Sequence, residues 1–382
     1  MRKLSANIAQ LVAMRAAAGP TMEANQPSRL QEVESFGTNP GALKAKCYVP
    51  AQVAQKPALV VVLHGCTQTA DGYDHGAGWS QLADDHGFIL LFPEQQRSNN
   101  PNLCFNWFSR ADNVRDRGET LSIRQMIGTM IDAHGIDTSR IFITGLSAGG
   151  AMTSILLASY PELFAGGAII AGLPFGAASN VQQALEAMRA PDTLSGDQLG
   201  DRVRSASDHA GPWPRIAIWH GAADQTVKSS NADAILAQWL SVHELDEAPN
   251  STEDISGHRY RIWHDAKGRA LIEDYRITGM GHGTPLATTG NDACGTPMPH
   301  MLEAGISSTR RIAASWGLLN DQKVVQRPKP MDRATVETPN SLSTAKTGLE
   351  TLSSVKPARA AANKGSVQKI IEDALRSAGL MR

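Results

Sequence analysis

One pentapeptide in this 382-residue sequence has the spacing of a nucleophile: Gly145-Leu146-Ser147-Ala148-Gly149, a match to G-x-S-x-G. With 34 glycines in the chain, chance alone supplies such a match in about one sequence of this size in five to ten, so context must decide. The motif follows the β-rich run Ile141-Phe142-Ile143 and opens a run of small residues, Ala148-Gly149-Gly150-Ala151, suited to a closely packed helix. Strand, turn and helix in that order put a serine on an exposed elbow; the competing reading is a structural turn. A serine hydroxyl attacks poorly until a base removes its proton. Among eleven histidines, His282 in Gly279-Met280-Gly281-His282-Gly283 is the best base, because a glycine-rich loop just after the strand-like Tyr275–Ile277 can carry an imidazole over the elbow. His264 falls inside a strand, and His134, His209 and His243 fall on helices or loops without such context. The base needs an acid to hold its tautomer. Asp224, in His220-Gly221-Ala222-Ala223-Asp224 just past the run Ile216–Trp219, is the choice over Asp246 and Asp265. Together these residues would carry out acyl transfer through a covalent intermediate on serine.

Such chemistry also needs N–H donors for an oxyanion. The backbone of Ala148, directly after the nucleophile, is one; the backbone of Cys66, in His64-Gly65-Cys66 after an early strand, is the expected second. A backbone donor does not require cysteine, so the thiol has a separate task. Either it bridges to Cys104 and tethers this loop to residues 104–108, or it is a buried free thiol. The four cysteines (Cys47, Cys66, Cys104, Cys294) form no CxxC pair, and no cysteine metal site is expected.

The elements that must position these residues alternate. Leu59-Val60-Val61-Val62-Leu63 and Phe88-Ile89-Leu90-Leu91-Phe92, the latter ended by Pro93, read as strands buried on both faces, as do the runs at 141–143, 168–170 and 216–219. Helical patterns intervene near Trp79–Ala83, over 119–134 and over 148–159. The alternation predicts an α/β fold, a mainly parallel sheet with helices on both faces. Residues 259–277 read as a hairpin about Ala266-Lys267-Gly268, near the far edge. The long connection 173–214, with a helical stretch near 180–189, is either a lid or cleft wall or a plain surface insertion. The chain order Ser, Asp, His is that of α/β-hydrolases.

Composition excludes other classes. A net charge of −1, with basic residues scattered, offers no footprint for nucleic acid. No apolar run approaches the length of a membrane span. Leu4, Ile8, Leu11 and Val12 fall at helical spacing, so residues 1–42 read as an amphipathic helix and lead-in to a catalytic domain over 43–320. Asn7, Gln10 and Arg15 break the apolar core that a signal peptide would need, so a cytoplasmic location is expected, with secretion as the alternative. Residues 321–365 read as a low-complexity linker, and Val367, Ile370, Ile371, Ala374 and Leu375 as one face of a short helix within 366–382, capped by Ser366 and ended by Gly379.

Over about residues 43–320 the sequence resembles the polyhydroxybutyrate depolymerase family of esterases. The likeness is carried by Leu63-His64-Gly65-Cys66-Thr67-Gln68, Cys104-Phe105-Asn106-Trp107-Phe108, Gly145-Leu146-Ser147-Ala148-Gly149-Gly150 and Trp219-His220-Gly221-Ala222-Ala223-Asp224 with Val227 and Asn231. It continues in Gly281-His282 and in Gly305-Ile306-Ser307-Ser308-Thr309 near Trp316. The resemblance implies a Ser-Asp-His esterase of short-chain hydroxyalkanoate polyesters or oligomers that needs no metal or cofactor. It places feruloyl and acetylxylan esterases as relatives with the same triad and fold. It also implies a place for Trp107 at the acyl or polymer subsite, against the competing reading of a core tryptophan. The partner expected is an ester substrate; oligomeric state is not readable from the residues.

Overall fold

Alternate residues of each central strand face opposite sides, and here both sides are apolar. Leu59, Val61 and Leu63 enter one core cluster while Val60 and Val62 enter a second. Ile216 and Ile218 likewise oppose Ala217 and Trp219. A strand of this composition must be covered on both faces. The computed structural model describes residues 28–190 and 193–319; the expected N-terminal helix, the linker and the C-terminal helix lie outside the described residues.

Among the described residues ten strands form one sheet. In spatial order they are β1 (Gln31–Glu32), β2 (Lys44–Tyr48), β4 (Ile89–Glu94), β3 (Leu59–Leu63), β5 (Ile141–Leu146), β6 (Gly166–Ile170), β7 (Arg215–Gly221), β10 (Ala270–Ile277), β9 (His258–His264) and β8 (Ser251–Ile255). The six from β4 to β10 run parallel, and antiparallel pairings complete both edges. Helices α1 (Ala70–Ala77), α2 (Trp79–His86) and α8 (Ser308–Ser315) cover one face. Helices α3 (Gly118–His134), α4 (Ala148–Ser159), α5 (Val181–Arg189), α6 (Gly196–Arg204) and α7 (Ser230–Val242) lie on the other side. Trp316, just after α8, stacks on Phe142 of β5 with ring centroids 4.8 Å apart, fastening that helix to the sheet centre. A two-stranded ribbon, β11 (Thr284–Leu286) with β12 (Met301–Glu303), follows β10.

Three details depart from expectation. Strand β4 runs through Pro93 to Glu94 rather than ending at the proline. Its pairing with β3 reaches only Leu91, so the missing N–H of Pro93 breaks no bond on that side. The 258–277 hairpin lies near the far edge as expected, but a further strand that the sequence did not mark, β8, pairs outside β9. Within 173–214 there is a second helix, α6, opened by a capping box between Ser195 and Gln198. This insertion is docked. Gln238 of α7 bonds to the backbones of Phe175 and Leu199, and the Lys228 amide, beyond Asp224, donates to the Met188 carbonyl.

Candidate active site

Parallel strands β3, β5, β7 and β10 all point the same way, so the segments leaving their carboxyl ends share one rim. That rim is where open α/β sheets place ligands. His64–Cys66 leave β3, Ser147 leaves β5, Asp224 leaves β7 and His282 leaves β10.

Ser147 forms the junction between β5 and α4 with φ 57° and ψ −115°. A non-glycine residue there carries strain of about 1–3 kcal/mol, which the surroundings must offset. Its amide donates to the Ile170 carbonyl at 2.9 Å, and its carbonyl accepts from Ala151 at 2.8 Å, so both sides of the turn are held. The turn also needs close approach. A Cβ on Gly149 would lie 2.4 Å from the Leu63 carbonyl oxygen and 2.6 Å from that of His64. Only glycine lets the first turn of α4 sit against the end of β3.

His282 and Asp224 come together. Nδ1 of His282 lies 2.7 Å from Oδ2 of Asp224. Because an ionised carboxylate only accepts, Nδ1 carries the proton and Nε2 is left with a free lone pair, the tautomer a general base requires. The other oxygen of Asp224 accepts from the amides of Thr226 at 2.8 Å and Val227 at 2.9 Å, which fixes the carboxylate in a turn. Nε2 of His220 stands 3.3 Å from Asp224 Oδ2 while facing the Val227 carbonyl at 2.9 Å. Burial alone would push the Asp224 carboxyl up; the hydrogen bonds and charges of His220 and His282 outweigh it and hold the group well below the usual carboxylate range. The acid and base loops are laced together by Ala222 N–H to Ile277 O at 2.9 Å and Ala223 N–H to Met280 O at 3.0 Å. A Cβ on Gly221 would strike the carbonyls of Met280 and Gly281 at 2.4 Å, so glycine permits this lacing. The ribbon β11–β12 adds His300, whose Nδ1 meets the His282 carbonyl at 3.2 Å.

The Ser147 hydroxyl makes no hydrogen bond to His282. Bonds to a nucleophile are often long until substrate closes on the site. The Ala148 amide opens α4 and so has no acceptor within the helix. Around Cys66 the neighbouring amides are engaged: Gly65 with Gln68 Oε1, Thr67 with Asn102 O and Gln68 with Gly65 O. Among the described residues no protein acceptor meets the Cys66 amide itself. Its sulfur is joined to Cys104, the bridge rather than the free thiol, while Cys47 and Cys294 are buried free thiols.

Other sequence candidates fall elsewhere. Trp107 is 6% exposed, packed in the core cluster and edge-on to Phe108, which leaves little surface for a subsite wall. Asp265 pairs with Arg269 in the β9–β10 turn. No group of three or more His, Cys, Asp or Glu side chains able to hold a metal occurs among the described residues. His220 thus also touches Asp224, and in the sequence only its spacing of four from that residue marks it.

Comparison with known proteins gives the family and the fold. Residues 43–257, more than half of the chain, match the family described as Esterase PHB depolymerase. The chain is 41% identical over 292 residues to poly(3-hydroxyalkanoate) depolymerase C of Paucimonas lemoignei, covering 76% of this chain and 70% of that protein. It is 31% identical over 265 residues to feruloyl esterase B of Talaromyces funiculosus, covering 67% and 73%. Identity to the acetylxylan esterase of Coprinopsis cinerea is 33% over 284 residues, covering 72% and 74%. Among solved structures, an acetyl xylan esterase from Aspergillus awamori aligns with a TM-score of 0.64 at 27% identity, covering 76% of this chain and 99% of that one. The fold is that of the α/β-hydrolase esterases, and the chain belongs to the esterase PHB depolymerase family of carboxylic ester hydrolases.

Proposed function

We propose that this protein hydrolyses short-chain hydroxyalkanoate esters, as polymer or oligomer, through an acyl-enzyme on Ser147. The observation that carries the mechanism is the His282–Asp224 hydrogen bond at 2.7 Å on the rim where the strained Ser147 elbow stands. His282 Nε2 takes the Ser147 proton as Oγ attacks the ester carbonyl carbon. The carbonyl oxygen becomes an oxyanion that accepts from the Cys66 and Ala148 amides. Collapse breaks the ester C–O bond, and the imidazolium gives its proton to the departing alkoxide. Water then attacks the acyl-enzyme with His282 again as base, releasing the acid and restoring the serine. Asp224 holds the imidazole in register and stabilises its cationic form throughout.

The substrate class is supported by the 41% identity to a protein named for poly(3-hydroxyalkanoate), against 31% and 33% for the two named for ferulate and acetylxylan. Coverage of 99% of an acetyl xylan esterase chain favours acetylated polysaccharide as the second reading. Side-by-side turnover of 3-hydroxybutyrate oligomers, polymer film, methyl ferulate and acetylated xylan separates them. The oligomer or film is expected to give the highest kcat/KM; faster turnover of ferulate or acetylxylan would reverse the assignment.

A further inference from the structure

Beneath the Cys66 loop lies a buried carboxyl group that the mechanism above does not use. Glu119, the second residue of α3, is 0% exposed. Its Oε2 accepts from the Asn106 amide at 2.8 Å. Its Oε1 faces Asn106 Nδ2 at 2.8 Å, Gln95 Nε2 at 2.7 Å and Asn99 Nδ2 at 3.3 Å. One acid therefore gathers both ends of the 95–106 loop. Burial pushes its carboxyl up to about 8, against the pull of the Asn106 and Gln95 hydrogen bonds. An acid here costs stability that an apolar residue of similar size would not.

The loop it gathers reaches Cys66 from three directions. The Gln95 amide donates to His64 Nε2 at 3.1 Å, and His64 Nδ1 bonds to the Gly65 carbonyl at 2.8 Å, on the amino side of Cys66. Gln95 Nε2 also donates to the Cys104 carbonyl at 3.0 Å, and Cys104 is bonded through sulfur to Cys66. On the carboxyl side, Thr67 N–H donates to Asn102 O at 2.7 Å. The peptide carrying the Cys66 N–H is thus bracketed by groups that all lead back to Glu119.

We propose that Glu119 is the positioning residue of the oxyanion site: it sets the aim of the Cys66 N–H by fixing the 95–106 loop. The inference rests on the Ser147 reading above, and it assigns a role to a residue that touches neither substrate nor nucleophile. An oxyanion donor acts on the transition state, so its misplacement lowers kcat and spares KM.

The test compares wild type with Glu119→Ala and Asn106→Ala on a soluble ester, with Ser147→Ala alongside. In folded Glu119→Ala, kcat is expected to fall on the order of 10²-fold with KM held within about twofold. The inhibition constant of a trifluoromethyl ketone, which mimics the tetrahedral state, should weaken in step. Asn106→Ala, which removes one donor and leaves the buried acid, should shift both in the same direction by less, and it serves if Glu119→Ala does not fold. Wild-type kcat and ketone affinity in whichever variant folds would overturn the positioning role while leaving the Ser147 reading intact. A rise in KM alone would overturn it too, since that is the mark of lost ground-state binding. Wild-type turnover by Ser147→Ala would overturn the reading on which the inference stands.

Discussion

Replacing Cys104 with serine opens the bridge to Cys66 while leaving the Cys66 backbone untouched. The bridge closes a segment with a sequence separation of 38. The chain-entropy relation for a loop of that length gives about 4 kcal/mol of stabilisation at 25 °C, acting through the unfolded state. The folded loop keeps other ties, among them Thr67 to Asn102 at 2.7 Å and Gln95 to Cys104 O at 3.0 Å. Native contacts should therefore survive, and the loss should stay near the entropic figure. Urea unfolding of the oxidised wild type against Cys104→Ser reads that difference directly. The same variant tests the site, because the bridge is one of the groups that brace the proposed oxyanion amide. Its kcat on a soluble ester should drop by about tenfold or more with KM little changed. A stability loss of the expected size with unchanged kcat would refute the link from bridge to oxyanion site. Unchanged stability would refute the entropic argument itself.

Two further outcomes follow from named contacts. Asp224→Asn should cut kcat on the order of 10⁴-fold without unfolding the protein, because an amide facing His282 Nδ1 reverses the tautomer; stopped turnover assays with circular dichroism as control decide it. His243, whose Nε2 faces the Pro214 carbonyl at 3.1 Å, is pushed by burial down to about 4. The unfolded chain takes up its proton near 6.5 and the folded one only near 4, so stability present above the higher value is lost as pH falls through that window. The change is roughly 3 kcal/mol at most; denaturant titrations at several pH values should show a shallower acid loss in His243→Gln, and identical profiles would remove the argument.

How far the sequence could be read depended on whether a signal was local. Ser147, Asp224 and His282 each sit in a short segment just past a buried strand, and parallel strands of one sheet bring such segments to one rim whatever their separation in the chain. The central strands were legible because unbroken apolar runs, three to five residues long, recur between helical patterns. Strands β2 and β8 were not, since strands at or next to the sheet edge are partly polar; in Lys44–Tyr48 only Ala45 and Cys47 are buried among its first four residues. Helix α6 buries only Leu199, Gly200 and Val203, too narrow a stripe to stand out, though its capping box was present in the letters. Glu119 carried no local mark at all. Its meaning lies in Gln95, Asn99 and Asn106, which reach it only after the chain has folded, and a lone glutamate near a helix start reads as solvated. Trp107 poses the opposite problem: an aromatic residue in a motif reads equally as a subsite wall or as core, and only the folded chain shows it packed in the core cluster.

The role of Ser147 as nucleophile is tested most directly by peptide mapping by mass spectrometry after reaction with a fluorophosphonate. One adduct is expected, on the peptide containing Ser147, formed in parallel with loss of ester hydrolysis and absent from Ser147→Ala, which itself does not turn over. An adduct on another residue, or a Ser147→Ala protein that hydrolyses ester at the wild-type rate, would contradict it.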